Sequence, residues 1–168
     1  MADAQHTAKT RDAAKAPAVV VGVDGSPHAR AALREAVRQA ELSGGSLTAV
    51  LAWEMPSIFG QFPPPPAPGA QHPTFQERAE MRLDDLLREA LGADPGALPA
   101  PRLRQRAVQG DPTTVLLDAA KDADLLVVGS RGYGGFRGLL LGSVSQHLSQ
   151  YAPCSVLIVR ERGDADGD

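Results

Sequence analysis

The chain has 168 residues, of which 43% are hydrophobic and 22% are charged, and its formal net charge is −3 at pH 7. This length and composition are typical of one globular domain with its own core. The small negative charge provides no broad basic surface, so we expect no nucleic-acid partner, and the absence of a long apolar run argues against a membrane protein.

The two ends of the chain are predicted to be disordered tails. Residues 1–17 mix both charges and lack the apolar centre of a secretory signal, and residues 161–168 are acidic. Residues 18–160 then form a single domain. Its one cysteine, Cys154, cannot make an intrachain disulfide, which fits a cytoplasmic location.

The first half of the domain predicts a strand, a helix and a second strand. The run VVVGVD (19–24) is apolar enough to be a buried strand. Ser26 is a suitable N-cap and Pro27 a suitable first residue for the helix that follows, whose apolar residues recur every three or four positions until the sequence SGG. The run SLTAVLAW (46–53) is the second strand.

The proline-rich segment 56–73 interrupts this pattern. It is interpreted as a stiff loop or, alternatively, as a site for a proline-binding partner. A helix is expected from Phe75 to Leu91. The next strand carries Arg102, Arg104 and Arg106 on one face, which indicates a sheet edge or a basic ligand-binding face.

Two more helices and two more strands complete the alternation. A short helix begins at Asp111 and Pro112, ADLLVVGS (123–130) is a strand, a helix follows Gly142, and CSVLIVR (154–160) is the last strand. Alternating strands and helices predict a parallel five-stranded α/β sheet with helices on both faces. Ligands of such sheets bind beyond the carboxyl ends of the strands, where Asp24 and Gly129 lie.

The stretch GSRGYGGFRGLLLGS (129–143) is the strongest functional signal. Glycine is costly to order, so six glycines in fifteen residues suggest a special backbone conformation or a close approach. Gly129 and Gly132 would let the backbone approach a ligand. The helix that begins at Gly142 and Ser143 offers free N–H groups to a phosphate, and Arg131 adds positive charge.

This stretch, read as G-x2-G-x9-G-S, resembles the nucleotide-binding motif of the universal stress protein family. The opening VVGVDGSPHARAAL and the closing APCSVLIVR are also similar to that family, so the resemblance covers residues 18–160. It implies the Rossmann-like, adenine nucleotide α-hydrolase-like fold with strand order 3-2-1-4-5.

The resemblance also implies a role for each matching residue. Gly22, Val23 and Asp24 would form the nucleotide pocket, with Asp24 near the ribose or a bound metal and Ala52 near the adenine. Gly129 and Gly132 would meet the ribose and phosphates, while Gly142, Ser143 and Val144 would hold the phosphate tail. Helix capping is the structural alternative for both Asp24 and Ser143. Trp53 is expected to be buried or to face a dimer partner, or else to stack near the base.

The expected function is binding of ATP, or of another adenine nucleotide such as AMP, ADP or a cyclic nucleotide, with Mg²⁺, by a regulatory homodimer of the stress response. The last strand, Cys154 to Val159, would lie at an exposed edge and pair with a second copy. No P-loop lysine, metal-ligand cluster or general base is evident, so the sequence predicts no catalytic residue and favours binding over turnover. A slow ATPase or nucleotidyl-transferring enzyme, or an interaction module without nucleotide, are the alternatives.

Overall fold

The computed structural model describes residues 16–55, 73–92, 102–133 and 140–161. Its strands are β1 (Ala18–Gly22), β2 (Ser46–Trp53), β3 (Arg102–Gln109), β4 (Leu125–Gly129) and β5 (Ser155–Val159). Its helices are α1 (Pro27–Ser43), α2 (Phe75–Leu91), α3 (Pro112–Ala120) and α4 (Ser143–Tyr151). Most of the predicted proline-rich loop (56–73) and of the predicted tails (1–17 and 161–168) lies outside the described residues.

The five strands form one parallel sheet in the order β3-β2-β1-β4-β5. The predicted fold class and strand order are therefore confirmed. The chain moves outward from β1 through β2 to β3 and then returns to build β4 and β5 on the other side of β1. Because the connections diverge between β1 and β4, a crevice is expected there at the carboxyl ends of the strands.

Each face of the sheet has its own core. Helices α1 and α2 pack on one face around buried residues such as Leu33, Leu47 and Leu83. Helices α3 and α4 pack on the other around Leu116, Leu126 and others. Since each helix is apolar on one side only, none of the described helices is long and apolar enough to cross a membrane.

Strand β3 lies at one edge of the sheet, as the edge interpretation of its arginines predicted. The Arg104 and Arg106 side chains are exposed there. At the opposite edge, residues 156–159 of β5 are only half-buried, whereas the middle of β4 is buried.

Three helices are capped by a side chain and one is not. The Ser26 hydroxyl accepts from the Ala29 N–H of α1, Thr74 forms a capping box with Glu77 at α2, and the Asp111 carboxylate caps α3. Helix α4 begins after Gly142, which has no side chain to accept a hydrogen bond. The first N–H groups of α4 are therefore left without a side-chain acceptor at the cap.

Candidate functional site

A cavity of about 420 Å³ opens at the carboxyl ends of β1, β2 and β4. Its volume lies within the range of roughly 300–1,000 Å³ that is usual for small-molecule sites. Its walls come from the β1–α1 turn, the segment after β4 and the first turns of α3 and α4. Every residue that the sequence suggested for nucleotide binding lies on these walls: Gly22, Val23, Asp24, Ala52, Gly129, Arg131, Gly132, Gly142, Ser143 and Val144.

Asp24 brings a carboxylate to the cavity from the end of β1. Its Oδ1 accepts a hydrogen bond from the Ser26 N–H at 2.8 Å, which fixes the turn before α1. The N-cap of α1 is Ser26, so the capping interpretation of Asp24 is wrong. The other oxygen, Oδ2, faces Gly132, where an added Cβ would lie 2.6 Å from it. The carboxylate thus joins the β1–α1 turn to the glycine-rich segment.

The motif glycines are explained by close packing and not by a left-handed backbone. None of Gly129, Gly132 and Gly142 is among the described glycines with positive φ. A Cβ on Gly129 would lie 2.8 Å from the carbonyl carbon of His28, so this glycine lets β4 approach the first turn of α1. Gly142 differs, since an added Cβ would meet nothing nearer than 3.4 Å.

A hydrogen-bond network centred on Ser130 holds the start of α4 against the end of β4. The Ser130 carbonyl accepts from the Gly142 N–H at 2.7 Å and from the buried Ser145 hydroxyl at 2.9 Å. The Ser130 N–H donates to the carbonyl of Val159 in β5 at 2.7 Å. The sequence analysis did not single out Ser130 or Ser145, because serines beside a glycine motif have no distinguishing local pattern.

His28 extends this network to the end of β5. Its Nδ1 lies 3.3 Å from the Ser130 hydroxyl and accepts from the Glu161 N–H at 3.3 Å. His28 is buried, with 9% of its surface exposed. The α1 start, the β4 end and the β5 end therefore share one buried polar contact.

The start of α4 forms the polar end of the cavity. Ser143 is the first residue of the helix and its N-cap is Gly142, so the capping interpretation of Ser143 is wrong. The exposed Ser143 side chain and the uncapped N–H groups of the first turn lie on the cavity wall. Arg131 and Asp24 are the charged residues among the described lining residues, which gives the lining no net formal charge.

The other end of the cavity is apolar. Ala52 lies there with Val50, Pro112 and Leu116. The neighbouring Trp53 points to the opposite face of the sheet, where its Nε1 donates to Gln76 Oε1 at 3.0 Å and its ring packs against the α1–α2 core. The suggestion that Trp53 stacks near a base is therefore wrong.

Several lining residues were missed by the sequence analysis. Val50 shares the face of Ala52, so strand alternation was a usable signal. Pro112 and Leu116 come from a helix about sixty residues further on, and no local pattern connects them with the second strand. Tyr133 follows Gly132 directly and lines the cavity, while its hydroxyl donates to the Gly25 carbonyl at 3.2 Å.

The fold is that of a doubly wound α/β protein, and its cavity lies at the switch point of the sheet. A family model described as the universal stress protein family matches residues 17–160. The chain is 38% identical over 144 residues to a universal stress protein of Mycolicibacterium smegmatis, across 86% of this chain and 46% of that protein. It is 36% identical over 146 residues to one of Thermus aquaticus, across 84% and 97% respectively.

The solved structures that resemble this chain include further universal stress proteins. A universal stress protein in complex with cAMP is 30% identical, with a TM-score of 0.59, across 88% of this chain and 98% of that one. UspA from Lactobacillus plantarum is 26% identical, with the same TM-score, across 88% and 99%. The chain belongs to the universal stress protein family. It spans about half the length of the mycobacterial relatives and nearly all of the Thermus aquaticus one.

Proposed function

We propose that this protein binds an adenine nucleotide, ATP in particular, in the cavity beside β1 and β4. The observation that carries the proposal is the uncapped start of α4 on the wall of a cavity of nucleotide size. Backbone N–H groups and the positive end of a helix dipole attract a phosphate. The related protein solved with cAMP supports an adenine nucleotide as the ligand class.

The two ends of the cavity suit the two ends of a nucleotide. The apolar end beside Ala52 and Leu116 would take the base, because flat aromatic ligands bind best between apolar side chains. Ser143 and Val144 would bind phosphate oxygens through their backbone N–H groups and the Ser143 hydroxyl. Gly142, whose N–H donates to the Ser130 carbonyl, would leave the space beside them open for the phosphate. Asp24, next to the β1 end, would accept hydrogen bonds from ribose hydroxyls.

Mg²⁺ would accompany ATP with few protein ligands. This cation keeps several waters and is commonly held by one or two carboxylates together with substrate phosphates. The Asp24 carboxylate fits that role, since its Oδ2 makes no hydrogen bond with the part of the chain that the structure describes and lies against Gly132. The ion would neutralise phosphate charge that the lining leaves uncompensated.

Isothermal titration of Mg-ATP into the purified protein tests the binding site. The blocking variant is Gly142→Leu, whose side chain would occupy the polar end of the cavity without a clash at its Cβ. The matched control is Gln150→Leu, which adds the same side chain to the exposed last turn of α4. We expect binding by the wild type and the control and its loss in Gly142→Leu.

Absence of heat and of a thermal shift with ATP, ADP, AMP and cAMP would refute nucleotide binding. Phosphate release measured under saturating Mg-ATP separates a binding protein from the alternative of a slow ATPase. Steady release that Asp24→Asn abolishes would favour the enzyme.

We also propose that the protein acts as a homodimer through β5 in the stress response, with nucleotide shifting the equilibrium between its states. The support is an apolar edge strand whose residues 156–159 are half-buried. Its end contacts the cavity network through Ser130 and Val159. Light scattering with and without ATP tests this, and a monomer in both conditions would refute the dimer.

A further inference from the structure

A second cation lies near the β1–α1 turn that walls the cavity, on a helix outside the glycine motif. Arg82 is exposed on α2, and its Nη2 lies 3.1 Å from the position that a Cβ on Gly25 would occupy. Tyr133 Cε2 lies 3.5 Å from the same position, and Tyr133 lines the cavity. Gly25 itself follows Asp24 directly. The Arg82 guanidinium therefore lies next to the β1–α1 turn and close to Tyr133, a residue of the cavity lining.

The backbone that carries Arg82 is firmly placed. Leu83, Leu86 and Leu87 are buried in the α1–α2 core, with at most 1% of their surface exposed. Leu86 Cδ2 also lies 2.8 Å from the position that a Cβ on Gly25 would occupy. The Tyr133 hydroxyl binds the Gly25 carbonyl at 3.2 Å. Helix α2, the β1–α1 turn and the segment after β4 thus meet at Gly25.

The Arg82 side chain, in contrast, is not engaged. Among residues 16–55, 73–92, 102–133 and 140–161, no carboxylate lies within 4.0 Å of its guanidinium and no hydrogen bond holds it. Two other arginines of α1 and α2 are engaged, since Arg88 pairs with Asp84 at 2.7 Å and Arg30 lies 3.9 Å from Glu89. A guanidinium has five donors in a planar arrangement that matches phosphate oxygens.

Charge indicates what Arg82 would bind. The described lining has Arg131 as its cation and Asp24 as its anion. One phosphate at the α4 start would be served by the helix N–H groups and Arg131. Each further phosphate adds negative charge that the described lining does not balance, and Arg82 is a further positive charge beside the β1–α1 turn.

We propose that Arg82 binds the terminal phosphates of the nucleotide and makes the site prefer nucleoside di- and triphosphates over monophosphates. This inference rests on the proposed nucleotide-binding function. It adds a contact from α2 to those that the glycine motif would make with the phosphate tail, and it assigns the preference for more than one phosphate to that contact.

The test is isothermal titration of AMP, ADP and ATP in EDTA, because Mg²⁺ would mask the phosphate charge. Three variants are compared with the wild type: Arg82→Gln, Arg82→Lys and the control Arg34→Gln. Arg34 is exposed on α1, so its replacement removes the same charge from outside the cavity lining. Thermal unfolding of each variant checks that the fold is intact.

We expect Arg82→Gln to weaken ATP binding roughly three- to tenfold, as for a partly exposed charge-assisted contact, and to leave AMP binding unchanged. Arg82→Lys should keep part of the preference for ATP, and Arg34→Gln should keep all of it. Equal weakening of ATP and AMP by Arg82→Gln, or equal effects of Arg82→Gln and Arg34→Gln, would overturn the role of Arg82 while nucleotide binding stands. A wild type that binds none of the three nucleotides, either in EDTA or with Mg²⁺, would overturn the proposed function and this inference with it.

Discussion

A methyl group at Gly129 should destabilise the fold, because the structure gives this glycine a packing role that the motif alone does not reveal. In Gly129→Ala the new Cβ would lie 2.8 Å from both the carbonyl carbon and the Cβ of His28, and 2.9 Å from the Ala29 N. Most of these are backbone atoms in the first turn of α1, which is anchored by the Ser26 cap and by the buried residues Ala32 and Leu33. They cannot move aside as the tip of a flexible side chain would.

The cost should be that of overpacking against a rigid neighbour, about 2 to 3 kcal/mol in the free energy of unfolding. For a domain of this size the melting temperature would fall by roughly 5 to 10 °C. The matched control is Gly142→Ala, where the nearest atom to the added Cβ is Arg131 Cα at 3.4 Å, an ordinary contact. Because Gly142 is the N-cap of α4, where alanine is less favourable than glycine, its unfolding free energy should fall by about 0.5 to 1 kcal/mol, which is still less than for Gly129→Ala.

Urea unfolding followed by tryptophan fluorescence measures both variants. The chain has a single tryptophan, Trp53, which packs against the α1–α2 core and reports its loss. Wild-type stability in Gly129→Ala, together with lost nucleotide binding, would refute the packing argument. Gly129 would then be required for the approach of the ligand, as the sequence analysis supposed.

Three further changes test the network around the cavity and the helix caps. Ser145→Ala removes the buried hydroxyl that donates to the Ser130 carbonyl, so the unfolding free energy should fall by about 1 kcal/mol and the nucleotide affinity should fall with it. If the unfolding free energy and the affinity both stay unchanged, the Ser130 network does not hold the start of α4 in place. His28→Leu removes the Nδ1 atom that contacts the Glu161 N–H and the Ser130 hydroxyl. The free energy of unfolding, measured in urea, should fall by about 1 to 3 kcal/mol. Wild-type stability would show that water replaces the imidazole. The Thr114 backbone N–H donates to the Asp111 carboxylate and holds the pKa of that carboxyl below its usual value. The charged carboxylate therefore stabilises the folded protein at neutral pH, and this stabilisation is lost as the pH falls through the folded-state pKa. Asp111→Ala should therefore cost about 1 kcal/mol at pH 7 and progressively less in acid, and a cost that does not change with pH would exclude the charged cap.

The strands, helices and their order were largely predictable because their signals are local. Apolar runs and three-to-four spacing depend on neighbouring residues, so β2 (Ser46–Trp53) and α2 (Phe75–Leu91) were predicted with the bounds that the structure has. The caps at Ser26 and Asp111 were predictable for the same reason. The alternation of elements required a parallel sheet, and the family resemblance supplied its order.

The sequence alone therefore determined the α/β class, the family and the set of residues around the glycine motif. The tertiary structure decided what each of them touches. It placed Gly129 against α1, turned Trp53 away from the cavity, and brought Leu116 to a cavity formed by other parts of the chain. These contacts depend on how helices cross the sheet, and that geometry arises from the packing of whole faces, which no short stretch of sequence contains.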